Sequence, residues 1–126
     1  MNLQLKDWIF IINDDIESAE VLLNAGHYMT SVYHAHQCAE KTMKVALILR
    51  NIDIPLTHDL RQLYKLLIKV IPEIETLMHG IGMLNNYLPK LRYPYGDRLE
   101  KEDALGALHI SKLIMTTLLP KEGAEE

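Results

Sequence analysis

The stretch YHAHQCAEKT, from Tyr33 to Thr42, is the part of this chain that indicates its fold most clearly. It lies within a segment whose apolar residues recur at the three- and four-residue spacing of a helix. This spacing predicts a helix from about Tyr28 to Arg50 with one core stripe: Tyr28, Val32, Ala35, Ala39, Met43 and Ala46. Because small residues on the stripe allow other helices to approach closely, we expect this helix at the centre of the structure.

The same helix carries polar groups, whose burial costs free energy unless they are paired or used. Four of them share one face: His34, Gln37, Lys41 and Lys44. Glu40 lies at the edge of this face and is spaced for a surface ion pair with Lys44. Two interpretations stay open, a solvated face with that ion pair or a face that binds an anion together with a loop.

The flanking segments also have helical apolar spacing. They predict further helices over about 5–23, 58–70, 72–89 and 101–119. Thr57 is expected to cap the helix that begins at 58, and Gly26 to form a left-handed cap after the first helix. Short connections predict an all-α, up-and-down bundle of four to five helices. We expect a single domain over 1–120 and an acidic tail, 121–126, that frays.

Composition excludes several classes of protein. Hydrophobic residues make up 48% of the 126 residues, which is typical of a folded globular chain. Apolar runs are far shorter than the ~18 residues of a membrane span, and the N-terminus does not resemble a signal peptide, so we expect a cytoplasmic protein without membrane association. The net charge of −4 means that nucleic-acid binding would need a local basic patch.

The histidines and the single cysteine offer little support for a metal site. His34 and His36 point about 200° apart on a helix and cannot chelate one ion together. No His-x-x-x-His or Glu-x-x-His pair occurs. Cys38 is the only cysteine, which excludes an internal disulfide and a cysteine-rich zinc site, and we expect it to be buried. We therefore expect neither a metal nor another cofactor.

His58 follows Thr57 at a predicted helix start. One interpretation is that this histidine anchors the loop before the helix. The other is that it supplies a group for proton transfer or phosphate contact, because an imidazole titrates near neutral pH. The free backbone N–H groups of a helix start would also favour an anion there.

A turn-rich loop begins at Arg92 and carries two arginines and two tyrosines. Arg92 and Arg98 can bind phosphates, and Tyr93 and Tyr95 can stack on bases. In the alternative interpretation the tyrosines pack on the bundle, while Asp97 and Arg98 neutralise each other.

Three segments together resemble a known family. They are Tyr33–Lys44, Pro55–Leu60 (PLTHDL) and Leu91–Pro94 (LRYP), and they occur in the expected order and spacing. The chain resembles the small prokaryotic HEPN domains over nearly its whole length. This resemblance implies a four- or five-helix bundle that forms a homodimer. It also implies a gene beside a minimal nucleotidyltransferase, the pair acting as a toxin–antitoxin or nucleotide-handling module.

Many proteins of that family are metal-independent ribonucleases, in which a His follows an Arg after four to six residues. This sequence departs from the pattern, because no arginine meets a His at that distance. Arg50 reaches His58 only after seven intervening residues, across a loop that contains Pro55. The departure argues against the usual ribonuclease site and leaves the fold, the dimer and a binding role.

The leading hypothesis is therefore a nucleotide- or RNA-binding module that acts with a minimal nucleotidyltransferase partner in a toxin–antitoxin-type system. The predicted ligand-binding residues are His34, Lys41, His58, Arg92 and Tyr93. A first alternative is a metal-independent ribonuclease with a non-standard site, in which His58 and Arg92 are the catalytic candidates. A second alternative is a structural, dimeric module that docks another protein through apolar surface.

Overall fold

The computed structural model describes residues 3–93 and 96–120. These residues form six α-helices and one 3₁₀ segment and contain no strand. The elements are α1 (Leu3–Asn24), α2 (Tyr28–Ile48), α3 (Leu60–Leu67), the 3₁₀ segment (Pro72–Leu77), α4 (Met78–Asn86), α5 (Leu88–Arg92) and α6 (Lys101–Leu118). The all-α bundle is confirmed. The predicted tail, 121–126, and two positions of the predicted loop, 94 and 95, lie outside the described residues.

Helix α2 is the central element, and α1, α3, α5 and α6 all pack against it. Its predicted core stripe is buried, except that Tyr28 is only half-buried. Two serine hydroxyls add polar ties between helices: Ser31 Oγ donates to the Ala19 carbonyl of α1, and Ser111 Oγ of α6 donates to the Ala35 carbonyl, each at 2.7 Å. Both hydroxyls are buried with their hydrogen bonds made, so α1 and α6 are held in register on α2.

The turn between α1 and α2 follows the predicted chemistry. Gly26 has a φ of +83°, which glycine adopts without the steric cost of a Cβ atom. The N–H of His27 donates to the Leu22 carbonyl at 2.8 Å and closes the end of α1. Gly26 is therefore the left-handed cap that the sequence predicted.

The start of α3 differs from the prediction. Asp59, not Thr57, is the N-cap, and its carboxylate accepts from the N–H of Arg61 at 2.9 Å. Thr57 Oγ1 instead accepts from the N–H of Asp59, and Asn85 Oδ1 of α4 accepts from the N–H of Leu60. The first turn of α3 is thus capped partly by a distant residue, and His58 stays in the loop before the helix.

The predicted helix over 72–89 is divided into three pieces. Pro72 opens a 3₁₀ segment, and Pro89 lies in the first turn of α5, where its missing N–H is tolerated. Between them, Gly80 of α4 lies so close to α6 that a Cβ atom would overlap the Ile110 side chain. The break before α5 directs Arg92 back toward α2, because α5 packs on α2.

Candidate functional site

Two buried carboxylates on α1 and α2 organise the polar residues that the sequence singled out. Asp15 is 7% exposed and Glu40 is 4% exposed. A buried carboxylate is costly unless cations and hydrogen-bond donors surround it. The partners of each carboxylate therefore define two clusters.

The Asp15 cluster consists of Asp15, His34 and Lys41. Lys41 Nζ donates to Asp15 Oδ2 at 2.7 Å, and His34 Nδ1 lies 3.0 Å from Asp15 Oδ1. Both partners are on α2, seven residues apart, while the carboxylate comes from α1. The cluster therefore clamps α1 to α2, and its ammonium group already has a partner.

The Glu40 cluster consists of Glu40 with its neighbours His36, Lys44 and His58, and we include Arg92 because its charge acts on His36. Lys44 Nζ donates to Glu40 Oε2 at 3.0 Å, which confirms the predicted ion pair but on a buried carboxylate rather than a surface one. His58 Nδ1 lies 3.1 and 3.2 Å from the two carboxylate oxygens. The imidazole of His58 is 59% exposed, so this contact joins a buried charge to the surface.

The contact between His58 and Glu40 shows which ring nitrogen of His58 carries the hydrogen. Because a carboxylate only accepts, Nδ1 of His58 carries the hydrogen and donates to Glu40. Nε2 is then left to accept a proton from a reacting group or, once protonated, to donate to a phosphate oxygen. A buried carboxylate that orients an exposed imidazole is suited to proton transfer and to anion binding.

His36 is fully buried beside Glu40, with its Nδ1 4.0 Å from Glu40 Oε1. That distance is too long for a hydrogen bond, and neither ring nitrogen has a partner among the described residues. Burial lowers the pKa of His36 below its ordinary value of 6.5; the charge of Glu40 opposes this, while those of His58 and Arg92 add to it. His36 is therefore neutral at pH 7.

Arg92 is the last residue of α5 and is exposed. Its positive charge adds to the lowering of the pKa of His36, the buried neighbour of Glu40 on α2. Tyr93 follows it and is 55% exposed. The five predicted ligand residues are thus divided: His34 and Lys41 lie at Asp15, His58 and Arg92 lie at the Glu40 cluster, and Tyr93 adjoins Arg92.

Sequence reasoning missed His36 as a member of this site and treated Glu40 as a surface residue. A signal for His36 was present, since it falls in the middle of the buried stripe of α2, between Val32 and Met43. Asp15 gave a similar signal, because it lies beside Ile16 in the buried part of α1. The approach of His58 to Glu40 had no local signal, because 18 residues separate them.

Burial explains why Cys38 is not a candidate for the site. Cys38 is buried, and burial raises the pKa of its thiol to about 12, so the reactive thiolate does not form near neutral pH.

Over 3–93 and 96–120, no group of three His, Cys, Asp or Glu side chains is arranged to hold a metal ion. Within the same residues, none of the helices has the length and apolar character needed to cross a bilayer.

Comparisons with known proteins complete the description. A curated relative, "Putative toxin MJ1304" of Methanocaldococcus jannaschii, is 54% identical over 39 residues, which are 31% of this chain and 26% of that protein. The match thus spans a minor part of the relative. No solved structure matches the chain. The family model for the HEPN domain matches residues 5–122, so nearly the whole sequence is covered and the chain belongs to the HEPN domain family.

Proposed function

We propose that this protein binds the phosphate groups of RNA or of a nucleotide at the Glu40 cluster, with Lys44, His58 and Arg92 as the phosphate ligands. The observation that carries the proposal is the contact of two basic side chains, Lys44 of α2 and His58 of the loop before α3, with one carboxylate. The positive charge of Arg92 on α5 acts on His36 beside that carboxylate. Glu40 is a single negative charge. The lysine and the arginine together exceed it and leave a local positive surplus.

The local surplus of positive charge makes phosphate binding compatible with the net charge of −4. A phosphate contact depends on the field within roughly one Debye length, about 8–10 Å at physiological salt, rather than on the total charge. Arginine binds phosphate oxygens through two parallel N–H groups, and Tyr93, next to Arg92, is suited to stack on a base. His34 and Lys41 are engaged by Asp15, and their role as ligands stays a prediction.

The biological setting is part of the same proposal. The relative from Methanocaldococcus jannaschii is named a toxin, and this chain shares 39 aligned residues with it at 54% identity. We propose that the chain acts in a toxin–antitoxin-type system in the cytoplasm, as a homodimer with a minimal nucleotidyltransferase partner. Support for the dimer and for that partner comes from the family resemblance alone.

The first experiment measures binding of a fluorescein-labelled single-stranded RNA by anisotropy, with ATP as a competitor. Arg92→Ala should weaken binding by about tenfold and lower the salt dependence by about one phosphate contact. Arg50→Ala is the matched control, because Arg50 is an exposed arginine at the end of α2 outside the cluster. Equal affinity of the Arg92 variant and the unmutated protein would overturn the assignment of the site.

A metal-independent ribonuclease is the second candidate, and the contact of His58 with Glu40 favours it. RNA cleavage needs a proton acceptor near the 2′-hydroxyl and a cation near the phosphate, which His58 and Arg92 would supply. The test is cleavage of a mixed-sequence RNA in EDTA by the unmutated protein and by His58→Ala. Cleavage that persists unchanged in the variant, or no cleavage by either protein, would remove this candidate.

A further inference from the structure

We propose that anion binding at the Glu40 cluster is coupled to the uptake of one proton by the His36–Glu40 pair. The inference rests on the proposed phosphate site and adds a control of that site by pH. It is carried by a buried carboxylate that Lys44 and His58 contact, and by a buried imidazole, His36, that has no hydrogen-bond partner among the described residues.

Glu40 depends on Lys44 and His58 for its stability as a buried anion. Lys44 Nζ and His58 Nδ1 make the hydrogen bonds that the structure records for its carboxylate, at 3.0 Å and at 3.1 and 3.2 Å. The same two groups are the proposed phosphate ligands. An anion that draws them outward therefore leaves Glu40 with fewer donors while it stays buried beneath the surface.

His36 is the group placed to replace those donors. Its Nδ1 lies 4.0 Å from Glu40 Oε1, one turn back along α2, and neither of its nitrogens is hydrogen-bonded among the described residues. Buried polar nitrogens without a partner are rare in proteins. A proton taken from solvent forms an N–H bond on the ring, and the resulting imidazolium then donates to the carboxylate after a shift of about 1 Å.

The charges that act on His36 also change in the direction that favours protonation. They come from Glu40 on α2, from His58 in the loop before α3 and from Arg92 on α5. Glu40 raises the pKa of His36, whereas His58 and Arg92 lower it. Burial is the largest cause of the lowered pKa of His36 and persists in the complex. A bound phosphate neutralises the charges of His58 and Arg92, so the opposing effect of Glu40 is no longer reduced by them and the pKa of His36 rises on binding.

The direction in which RNA binding depends on pH follows from the rise in the pKa of His36. A pKa that is higher in the complex than in the free protein makes binding tighter at low pH, and the gain is lost as pH rises through the pKa of the complex. Isothermal titration of the single-stranded RNA at pH 7 in Pipes, Hepes and Tris buffers counts the protons, because the apparent enthalpy varies with the ionisation enthalpy of each buffer. We expect an uptake of about one proton.

Variants separate His36 from the other histidines. His36→Gln should still bind RNA, with a proton uptake well below that of the unmutated protein. His109→Gln, which changes an exposed histidine of α6, should retain the uptake of the unmutated protein. Uptake that is unchanged in His36→Gln would overturn the inference.

A second measurement keeps the inference testable if His36→Gln does not fold. An NMR titration of the His36 ring protons in the unmutated protein, with and without RNA, should show a higher pKa in the complex, and an unchanged pKa would overturn the proposal. Binding without net proton uptake would overturn this inference and leave the phosphate site standing. Absence of any RNA binding would overturn both.

Discussion

The Asp15 cluster and the Glu40 cluster contain the same three kinds of group, a buried carboxylate, a histidine and a lysine, yet they differ in what is left over. In the Asp15 cluster the lysine and histidine both lie on α2 and face one carboxylate of α1. In the Glu40 cluster His58 and Arg92 come from other segments, and His36 has no hydrogen-bond partner among the described residues. A cluster whose basic groups are matched by its carboxylate joins helices, whereas a cluster with surplus basic groups can bind a ligand.

Removal of each carboxylate should separate the two clusters most strongly. Glu40→Ala leaves the ammonium of Lys44, which is 15% exposed, without its anion, so we expect the free energy of unfolding to fall by about 2–4 kcal/mol. Asp15→Ala should cost about 1–2 kcal/mol, since Lys41 and His34 are more exposed and can be rehydrated. Urea denaturation followed by circular dichroism measures both. Equal losses of unfolding free energy in the two variants would contradict the difference in burial between the two clusters.

The two lysines provide the sharpest test of which cluster binds phosphate. Lys44→Ala should weaken RNA binding by about tenfold, or about 1.4 kcal/mol, because it removes one proposed phosphate contact. Lys41→Ala is the matched variant on the same helix and should change affinity far less, because Lys41 pairs with Asp15 and not with the carboxylate that His58 contacts. Anisotropy titrations at two salt concentrations compare them. Similar losses would mean that both clusters form one binding surface, which is one of the two interpretations that the shared helical face left open.

The smallest expected effect is on the pH dependence of stability without ligand. The pKa of His36 is lowered in the folded state, chiefly by burial, so the unfolded chain takes up the proton more readily. Stability is therefore retained above about pH 6.5 and lost as pH falls below it, at up to about 1.4 kcal/mol per pH unit.

The check is urea denaturation from pH 7.5 to 5.5 for the unmutated protein and for His36→Gln. The variant should lose less stability on acidification, whereas His109→Gln should follow the unmutated protein. Parallel curves for all three proteins would show that the His36 imidazole does not control acid stability.

Much of the fold was predictable because it depends on local pattern. The spacing of Val32, Ala35, Ala39 and Met43 predicted the buried face of α2, and Gly26 predicted the end of α1. The start of α3 was not predictable, because Asn85 of α4 supplies one of its capping groups from 25 residues away. The division of the 72–89 segment also depends on packing, since two prolines in it were each compatible with a helix start.

The candidate site was predictable only in part, for a related reason. The Glu40–Lys44 pair follows from the i,i+4 spacing of one helix, and the structure confirms it. Whether Glu40 is buried, and whether His58 or Arg92 approaches it, depends on how α3 and α5 pack on α2. Helical wheels give the direction of a side chain but not the neighbour that it meets.

By itself the sequence determined an all-α bundle centred on α2, because a helix and its apolar stripe depend on residues three and four positions apart. It also determined which ionisable groups α2 carries. The packing of the helices divides these groups between Asp15 and Glu40 and brings His58 to Glu40. It also buries His36 where its ring has no hydrogen-bond partner within the described part of the chain. Contacts between distant segments are set by the packing of whole helices, and no short-range pattern encodes them.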